Sequence, residues 1–449
     1  MGSILSKIVG SKFSDFNNYV SENKDMKLHE ARLITTYKAG DEMALTAIFL
    51  SALKLIKEFR KDFFSDVSLP GSGKIYIYTE VSFPKFEDSR IDGLILVVGG
   101  NLIKDAAIFE VKNKGNELKV EQLEKYLQIA KQLRIPKLIT ISNQFVSMPT
   151  QSPVPIKSPK GIDIYHFSWS YILTMAHILL YNNDKNIEDK DQIEIMKEVV
   201  AYFENPVSGV FGFTQMKAGW KELVGRINAG TRLKLNDNYV SDTVSSWQQE
   251  ERDMALILSR KLGVLVQSGE PKYRNNLKSR IDNDSKTLIN EKQLTSVLKV
   301  KGAVSDIIIR ALFEKRIVEM IVKLNVPLDK GIRGQIGWLN KQIKLCKTKE
   351  PKIFETIEDE LKIGINIKRA KGCERVALPK LRDIHKEIKD KEIKEFNVVQ
   401  VKDFGKSFSS RKKFVEEIEA MLVNFYKGII QHLHNWEQPA PPLSDRDHK

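Results

Sequence analysis

Two apolar, strand-like runs around a glycine turn restrict the possible folds of this chain more than any other part of its sequence. The runs at 90–98 and 105–112 flank the turn Gly99-Gly100-Asn101. A short Gly/Asn turn between such runs is typical of an antiparallel β-hairpin. With the hairpin centred on this turn, residues whose numbers add up to 202 face each other. This register places Asp92 opposite Glu110, with their Cβ atoms about 4.5–5.5 Å apart.

Helix and strand patterns on either side of the hairpin predict a mixed α/β domain. Apolar residues recur at helical spacing before it, and Pro70-Gly71-Ser72-Gly73 separates them from a first strand-like run. After the hairpin come an amphipathic helix ended by Pro136, two short strands and another helix. The predicted elements are a helix over 28–64, strands over 75–83, 90–98 and 105–112, a helix over 117–133, strands over 137–142 and 162–167, and a helix over 169–181.

The rest of the chain predicts a larger, mainly helical (α+β) C-terminal region. A polar break at 181–186 precedes helical patterns, and an alternating strand pattern follows at 361–368, where 376–378 is expected to pair with it. The predicted helices cover 192–203, 215–228, 245–262, 294–324 (interrupted near Gly302), 334–345 and 411–436. We therefore divide the chain into an N-terminal segment (1–27), an α/β domain (28–182), a mainly helical domain (187–348), a basic α+β region (349–437) and a disordered tail (438–449).

Length and composition exclude several protein classes. A chain of 449 residues with 42% hydrophobic residues can form more than one hydrophobic core. No apolar run approaches the ~18–20 residues of a membrane span, and the first residues lack the apolar core of a secretory leader. Two cysteines, Cys346 and Cys373, are too few for a disulfide framework or a structural zinc site. We therefore expect a cytoplasmic protein with no membrane partner.

An excess of positive charge indicates a polyanionic partner. The formal net charge is +14, and residues 301–449 carry nine of these charges. Basic residues are densest at 341–382, and a second cluster lies at 272–280. Such clusters attract phosphate backbones, although an ordinary solvated surface has the same composition. The candidate nucleic-acid-binding residues are Lys272, Arg274, Lys278, Arg280, Lys368, Arg369 and Lys371.

The opposed carboxylates of the hairpin predict a metal site. Glu110 and Lys112 are two residues apart on one strand, so their side chains share a face, while Val111 turns to the other face. Carboxylates as close as those of Asp92 and Glu110 repel each other unless a cation lies between them. Mg²⁺ prefers hard oxygen ligands and suits two carboxylates plus substrate phosphate oxygens. A metal there polarises a scissile phosphate and activates water, and Lys112 orients or deprotonates that water.

These residues resemble the motif of the PD-(D/E)XK (restriction-endonuclease-like) nuclease superfamily. Asp92 is followed by Glu110-Val111-Lys112 at the end of the hairpin, and Ile91 stands where the name of the motif has proline. In the next helix, Gln122 and Tyr126 are similar to the Gln-x-x-x-Tyr motif of the exonuclease-type branch. Residues four apart share a helical face, so this pair is presented together beside the strand end.

The resemblance covers about residues 28–170 and implies both a fold and a set of roles. The implied fold is a restriction-endonuclease-like αβββαβ core. The implied cofactor is one or two Mg²⁺ ions, with Mn²⁺ as an alternative metal. The implied catalytic residues are Asp92, Glu110 and Lys112, the metal ligands are Asp92 and Glu110, and the supporting residues are Gln122, Tyr126 and Glu42 of the first helix.

The activity implied by the resemblance is hydrolysis of phosphodiester bonds in nucleic acid, with DNA as the expected substrate and strand ends as the favoured position. Bacterial defence against phage is a role that the family allows, and the C-terminal region is expected to contact nucleic acid, a partner protein or a second copy of the chain. Two alternatives remain, a non-catalytic nucleic-acid-binding or assembly protein that retains the fold, and a helical scaffold. In these, Glu110 and Lys112 form only an ion pair, Tyr126 is a core-edge aromatic residue and Glu42 is a first-turn acid.

Overall fold

The computed structural model describes residues 6–23, 26–30, 38, 40–86, 89–146, 148–181, 187–269, 273, 276–370, 373–388 and 391–437. The chain forms two compact units, each of mixed α/β structure. Unit 1 comprises Met1–Phe213 and Leu256–Leu265, and unit 2 comprises Thr214–Ala255 and Val266–Lys449. Within these described ranges, none of the helices combines the length and the apolar character needed to cross a bilayer.

A mixed β-sheet forms the centre of unit 1. Its strands, in chain order and in spatial order alike, are β1 (Lys27–Glu30), β2 (Lys74–Ser82), β3 (Arg90–Gly99), β4 (Leu102–Val111), β5 (Lys137–Ser142) and β6 (Asp163–Ser168). Strands β1 to β4 pair antiparallel, whereas β4 with β5 and β5 with β6 pair in parallel. Parallel neighbours need a crossover connection, and a helix supplies the one between β4 and β5.

Helices cover both faces of this sheet. They are α1 (Phe13–Glu22), α2 (Glu42–Leu55), α3 (Lys57–Asp66), α4 (Val120–Leu133), α5 (Trp169–Tyr181) and α6 (Lys190–Glu204). One buried cluster joins α2, α3, α5 and α6 to odd-numbered hairpin residues such as Ile95 and Phe109. The other joins α1 and α4 to even-numbered ones such as Leu94 and Ile108. The two-residue period of a strand therefore decides which helix layer a hairpin side chain meets.

The predicted hairpin register is confirmed. Gly93 pairs with Phe109 and Val97 with Asp105, and the register shifts only beyond Val97, next to the turn. Gly93 also lies under α2, since a Cβ at this position would be 2.6 Å from Cδ1 of Leu50. The missing side chain lets the helix approach β3 closely, directly beside Asp92.

Two predictions for unit 1 are wrong. The helix predicted over 28–64 is replaced, where the chain is described, by β1, α2 and α3, with a break at Ile56. Ile56 has an extended backbone and is fully buried, so packing interrupts the helical pattern without a Gly or Pro signal. The domain boundary predicted at 182–187 also lies inside unit 1, because Ile187 and Phe203 belong to its core. The predicted N-terminal segment contains α1, which packs on the sheet through Phe16.

The described residues of unit 2 contain an antiparallel sheet. In chain order its strands are β7 (Gln267–Ser268), β8 (Gln293–Lys299), β9 (Ile307–Leu312), β10 (Ile317–Asn325), β11 (Leu361–Ile367), β12 (Cys373–Ala377) and β13 (Ile393–Asp403), and their spatial order is β12-β11-β13-β10-β9-β8-β7. The helices are α7 (Ala218–Asn228), α8 (Asn238–Leu262), α9 (Leu277–Glu291), α10 (Ile332–Lys349), α11 (Pro351–Ile357) and α12 (Arg411–Gly428). The end of α8 belongs to unit 1.

The C-terminal region is less helical than its sequence predicts. The predicted helix over 294–324 is wrong, because this segment forms the three strands β8, β9 and β10. Side chains of β8 and β9 alternate between buried and partly exposed positions, which is the period of a strand. The predicted pairing of 361–368 with 376–378 is confirmed by β11 and β12. The predicted helix over 411–436 ends at Gly428, and the tail at 438–449 lies outside the described residues.

Candidate active site

The end of the hairpin brings Asp92 and Glu110 together. Both are even-numbered and therefore lie on the sheet face that α4 covers, on neighbouring strands β3 and β4. The backbone N–H of Val111 donates a hydrogen bond of 2.7 Å to Oδ2 of Asp92. This bond ties the aspartate to the backbone beside Glu110, so the two carboxylates lie side by side at the strand ends.

Glu110 is a buried acid with one basic and one acidic neighbour. Its side chain is fully buried, and Oε1 lies 2.5 Å from Nζ of Lys112. The Tyr126 hydroxyl and the Asp92 carboxyl group also interact with its carboxylate. An ionised carboxylate has about four lone-pair sites, so capacity to bind a cation remains.

Lys112 is held in place through its backbone. The backbone N–H of Lys112 donates a hydrogen bond to the backbone oxygen of Ile141 on β5 at 2.8 Å. The backbone oxygen of Lys112 accepts one from Nε1–H of Trp169 at 3.0 Å. The side chain is 14% exposed, and Nζ lies 3.5 Å from Oε2 of Glu42 as well as close to Glu110. The ammonium group is therefore fixed between two acids and still reaches solvent.

Glu42 begins α2 and contributes a third acid at the edge of the site. Its Oε1 accepts hydrogen bonds from the N–H of Asn113 at 3.2 Å and from Nδ2 of Asn116 at 2.7 Å. These donors hold the carboxylate so that its other oxygen, Oε2, lies 3.5 Å from Nζ of Lys112. The interactions go beyond those of a first-turn acid that only complements the helix dipole.

The predicted Gln122–Tyr126 pair lies beside the same strand ends. Tyr126 is buried, and its hydroxyl donates to the backbone oxygen of Arg90, two residues before Asp92. Nε2 of Gln122 is 3.5 Å from that hydroxyl, and Gln122 lines the open cleft. Tyr126 thus braces β3 from α4, whereas Gln122 faces the space that a substrate would enter.

Burial raises the pKa values of both hairpin acids. For Asp92, desolvation raises the pKa most, the negative charge of Glu110 adds to it, and the Val111 hydrogen bond opposes it. Desolvation also raises the pKa of Glu110, against the lowering effect of Lys112. For Lys112, burial alone would lower the pKa, but Glu110, Asp92 and Glu42 together raise it. Without a metal, the pair of acids therefore favours retention of a proton, while Lys112 stays charged.

A cleft of about 700 Å³ opens onto this cluster. Asp92, Lys112, Glu42, Gln122 and Tyr126 line it, together with the aromatic residues Phe83 and Phe86 and with Arg90. A cavity of this size is typical of ligand sites. Asp92, Glu42 and Lys112 are therefore accessible from solvent, whereas Glu110 lies buried behind them.

Arg90 and Glu80 are site residues that the sequence did not reveal. The Arg90 side chain is 56% exposed in the cleft, and its Nε lies 2.8 Å from Oε2 of Glu80 on β2. Glu80 has a positive φ of 54°, which turns a non-glycine residue out of the regular strand pattern. In the sequence, the only sign of a role for Arg90 is its position two residues before Asp92. The ion pair with Glu80, which fixes the Arg90 side chain in the cleft, depends on the irregular backbone at Glu80.

The donor set suits Mg²⁺ in chemistry and in number. Glu110 and the adjacent Asp92 offer hard carboxylate ligands, and Mg²⁺ commonly takes one or two of these plus water and phosphate oxygens. Among the described residues, no group of three or more His, Cys, Asp or Glu side chains has the spacing of a metal centre. The protein would therefore supply two carboxylates, and the remaining ligands would come from water and substrate.

One predicted nucleic-acid-binding residue forms an ion pair inside unit 2. Arg280 is only 12% exposed, and its guanidinium pairs with the buried Glu251 at 2.7 Å and with Asp284 at 3.5 Å. In the structure the charge of Arg280 neutralises a carboxylate that the core of unit 2 encloses, and its contact with phosphate stays a prediction. A buried ion pair of this kind is costly to break.

The other basic candidates divide into exposed residues and residues that lie outside the described chain. Lys278, Lys368 and Arg369 are exposed. Lys368 forms an ion pair with Glu392. Lys272, Arg274 and Lys371 are not among the described residues.

The buried His166 of unit 1 is a structural histidine with a testable pH signature. Its Nε2–H donates to the oxygen of Gln144 at 2.8 Å, and Nδ1 lies 2.8 Å from Oγ1 of Thr140. Burial lowers the pKa of His166 to about 4, against a small opposing effect of the Gln144 bond. The ring is therefore neutral and occupied on both nitrogens, and it plays no part in the acid cluster.

We expect unit 1 to lose about 3 kcal/mol of stability through His166 as the pH falls from 7 to 4. Because the pKa of His166 is depressed in the folded state, its stabilisation is fully present above the unfolded pKa of about 6.5. The stabilisation is lost as the pH falls through the folded pKa of about 4. Urea unfolding at each pH measures the free energy of unfolding of wild type and of His166→Gln, and the difference between the two should shrink as the pH falls. His385→Gln, at a partly exposed position, serves as the control. A constant difference across this range would contradict the burial of a neutral ring.

Comparison with protein-family models, with curated proteins and with solved structures gave no match.

Proposed function

We propose that this chain is a metal-dependent nuclease that hydrolyses phosphodiester bonds of nucleic acid, with DNA as its substrate. The observation that carries the proposal is the opposed pair Asp92 and Glu110 beside Lys112, in which Glu110 is fully buried and Asp92 lines an open cleft. A fold that only needed an ion pair here would not place a second acid against it at an electrostatic cost.

The order of elements supports the same proposal. Unit 1 runs from α2 and α3 through β2, β3 and β4 to α4 and β5, which is the helix–three strands–helix–strand order of the PD-(D/E)XK core. Asp92 and Glu110 lie on the second and third of these strands, and Gln122 and Tyr126 lie on the helix that follows. Motif and topology thus agree on the same residues.

Each residue of the cluster has a chemical task in this proposal. Asp92 and Glu110 would hold Mg²⁺, which when bound polarises the phosphate and makes a bound water more acidic. Lys112 keeps its proton because three acids raise its pKa, so its Nζ acts as a hydrogen-bond donor to the attacking water or to a phosphate oxygen. Glu42 orients that ammonium group from the other side at 3.5 Å.

The rest of the cleft is suited to a nucleic-acid chain. Arg90 presents a half-exposed guanidinium that can bind a phosphate in a bidentate manner. Gln122 offers an amide on the same side, and Phe86 is a partly exposed aromatic residue on the cleft wall that is suited to stacking on a base. Charge for the backbone and an aromatic surface for a base favour a polynucleotide over a small phosphate ester.

A cleavage assay with the full-length chain tests the proposal. End-labelled linear DNA, covalently closed circular DNA and RNA of equal length are incubated with the protein in Mg²⁺, in Mn²⁺ and in EDTA. We expect metal-dependent cleavage of DNA and none in EDTA, and loss of the label from linear but not circular substrate would show cleavage from strand ends. Absence of cleavage in both metals, with nucleic acid still bound, would instead identify a non-catalytic binding protein.

A further inference from the structure

Helix α10 of unit 2 carries only positive charges. Its 18 residues include no Asp or Glu, and its basic residues are Arg333, Lys341, Lys344, Lys347 and Lys349. The opposite side of the helix is held in the core by buried residues, namely Gln335, Ile336, Trp338, Leu339, Ile343 and Cys346. Tertiary packing therefore fixes which side faces solvent, and we define its basic face as Arg333, Lys341 and Lys344, all of which are exposed.

The basic face has no counter-charge inside the fold where the chain is described. Lys347 pairs with Glu358 at 2.8 Å, and Lys349 lies in the last turn, where the helix dipole favours a cation. By contrast, no described carboxylate lies within ion-pair distance of Arg333, Lys341 or Lys344. Lys341 and Lys344 are three residues apart and repel each other along one side of the helix.

Gly337 lies in the middle of this face, and neither packing nor backbone conformation requires a glycine there. Gly337 lies one turn from both Arg333 and Lys341. Apart from its chain neighbours and the backbone of its own helix, no described atom is within 4 Å of the position that its Cβ would take. Its φ is not positive, so an alanine would fit without strain. Glycine in a helix interior is destabilising, and here no packing contact offsets that cost. The effect of Gly337 is to leave the backbone open between two basic side chains.

We propose that the basic face of α10 binds along the phosphate backbone of double-stranded DNA, with Gly337 at the point of closest approach. Arg333 and Lys344 are about 16 Å apart along the helix axis, or roughly five nucleotide steps of one strand. The exposed residues of α10 include no aromatic or apolar side chain, so this surface contacts phosphates and does not stack on bases. Contacts of this kind are independent of sequence and suit a stiff duplex.

This inference deepens the proposed function, since it rests on DNA being the substrate and assigns a second contact to it. Binding is therefore measured apart from cleavage, on full-length Asp92→Asn protein in EDTA. The probe is a fluorescein-labelled 30-base-pair duplex, and anisotropy gives the Kd between 50 and 200 mM KCl. The test variant R333Q/K341Q/K344Q is compared with K197Q/K386Q/K412Q, which removes three exposed lysines that have acidic partners.

We expect the α10 variant to bind the duplex at least about tenfold more weakly at 100 mM KCl. The slope of log K against log[KCl] should become shallower by the amount that corresponds to about two to three lost phosphate contacts. The control, which loses the same net charge, should stay within about twofold of the parent. Gly337→Leu should raise the melting temperature or leave it unchanged and still weaken duplex binding at least about fivefold. A variant that folds better but binds worse cannot be explained by misfolding.

Several results would overturn the inference. They are equal affinities of the α10 variant and its control, unchanged duplex binding by Gly337→Leu, and an equal loss for a single strand of the same length. Binding of the parent to anionic vesicles, lost in the α10 variant while duplex binding persists, would assign the face to a membrane surface instead. Absence of cleavage by wild type with duplex binding intact would overturn only the proposed nuclease activity.

Discussion

Asp92→Asn is expected to lower the rate of Mg²⁺-dependent DNA cleavage by at least about a thousandfold, which corresponds to about 4 kcal/mol of transition-state stabilisation. The amide keeps the size of the side chain and can still accept the 2.7 Å hydrogen bond from the Val111 N–H. It loses the negative charge that, together with Glu110, would hold the metal. The effect should therefore appear in the rate of the chemical step, with the fold preserved.

Single-turnover rates on end-labelled DNA measure this loss. The matched control is Asp163→Asn, the same substitution at an exposed position on β6 of the same sheet, which should leave the rate within about twofold. Lys112→Met should also reduce the rate strongly. If Asp92→Asn retained more than a tenth of the wild-type rate, the paired-carboxylate site would not be the catalytic one.

The same cluster should make the metal-free protein respond in opposite directions to two substitutions. Asp92→Asn is expected to stabilise the metal-free fold at pH 7, because it removes a charge that burial and Glu110 both disfavour. Lys112→Met is expected to destabilise it by about 3 kcal/mol, because Glu110 is fully buried and loses its neutralising partner. Urea unfolding in EDTA measures both changes.

The pH dependence of these differences follows from the sign of the pKa shifts. The folded-state pKa values of Asp92 and Glu110 are raised, so their contribution to stability is fully present below the unfolded values of about 4 and is lost as the pH rises through the folded ones. The advantage of Asp92→Asn over wild type should therefore narrow as the pH falls from 7 towards 4. An Asp92→Asn protein less stable than wild type at pH 7 in EDTA would contradict the raised pKa.

Addition of Mg²⁺ should reverse the order of stability. A metal that binds only the folded state stabilises it by about 2.7 kcal/mol at a concentration 100 times its Kd. Wild type should gain this stabilisation, and Asp92→Asn should gain little of it. This combination links the stability of the free protein to its function, because the repulsion that weakens the empty cluster is the property that attracts a cation.

The geometry of the hairpin was predictable because short-range chemistry decides it. The Gly99-Gly100-Asn101 turn sets the register, and the period of two then places Asp92 and Glu110 on the same face. The helix with Gln122 and Tyr126 was likewise evident from its amphipathic pattern. In each case the deciding interactions lie within about twenty residues of one another.

Long-range packing decided what the sequence pattern alone did not show. Residues 294–324 have an apolar content that suits either structure, and a place in the seven-stranded sheet formed by the described residues of unit 2 makes them strands. Ile56 interrupts a helical pattern because its side chain is drawn into the core. Arg280 belongs to a basic cluster in the sequence, but its guanidinium pairs with the buried Glu251, 29 residues earlier in the chain.

By itself, then, the sequence determined the pairing of Asp92 with Glu110, the neighbouring Lys112 and the helix that follows them. Only the tertiary structure decided that Glu110 is fully buried beside Lys112, that Glu42 and Arg90 join the cleft, and that one side of α10 has no counter-charge among the described residues. The physical reason is that register and periodicity are local properties of the backbone. Burial, desolvation and the availability of a charge depend on which distant segments pack around a residue.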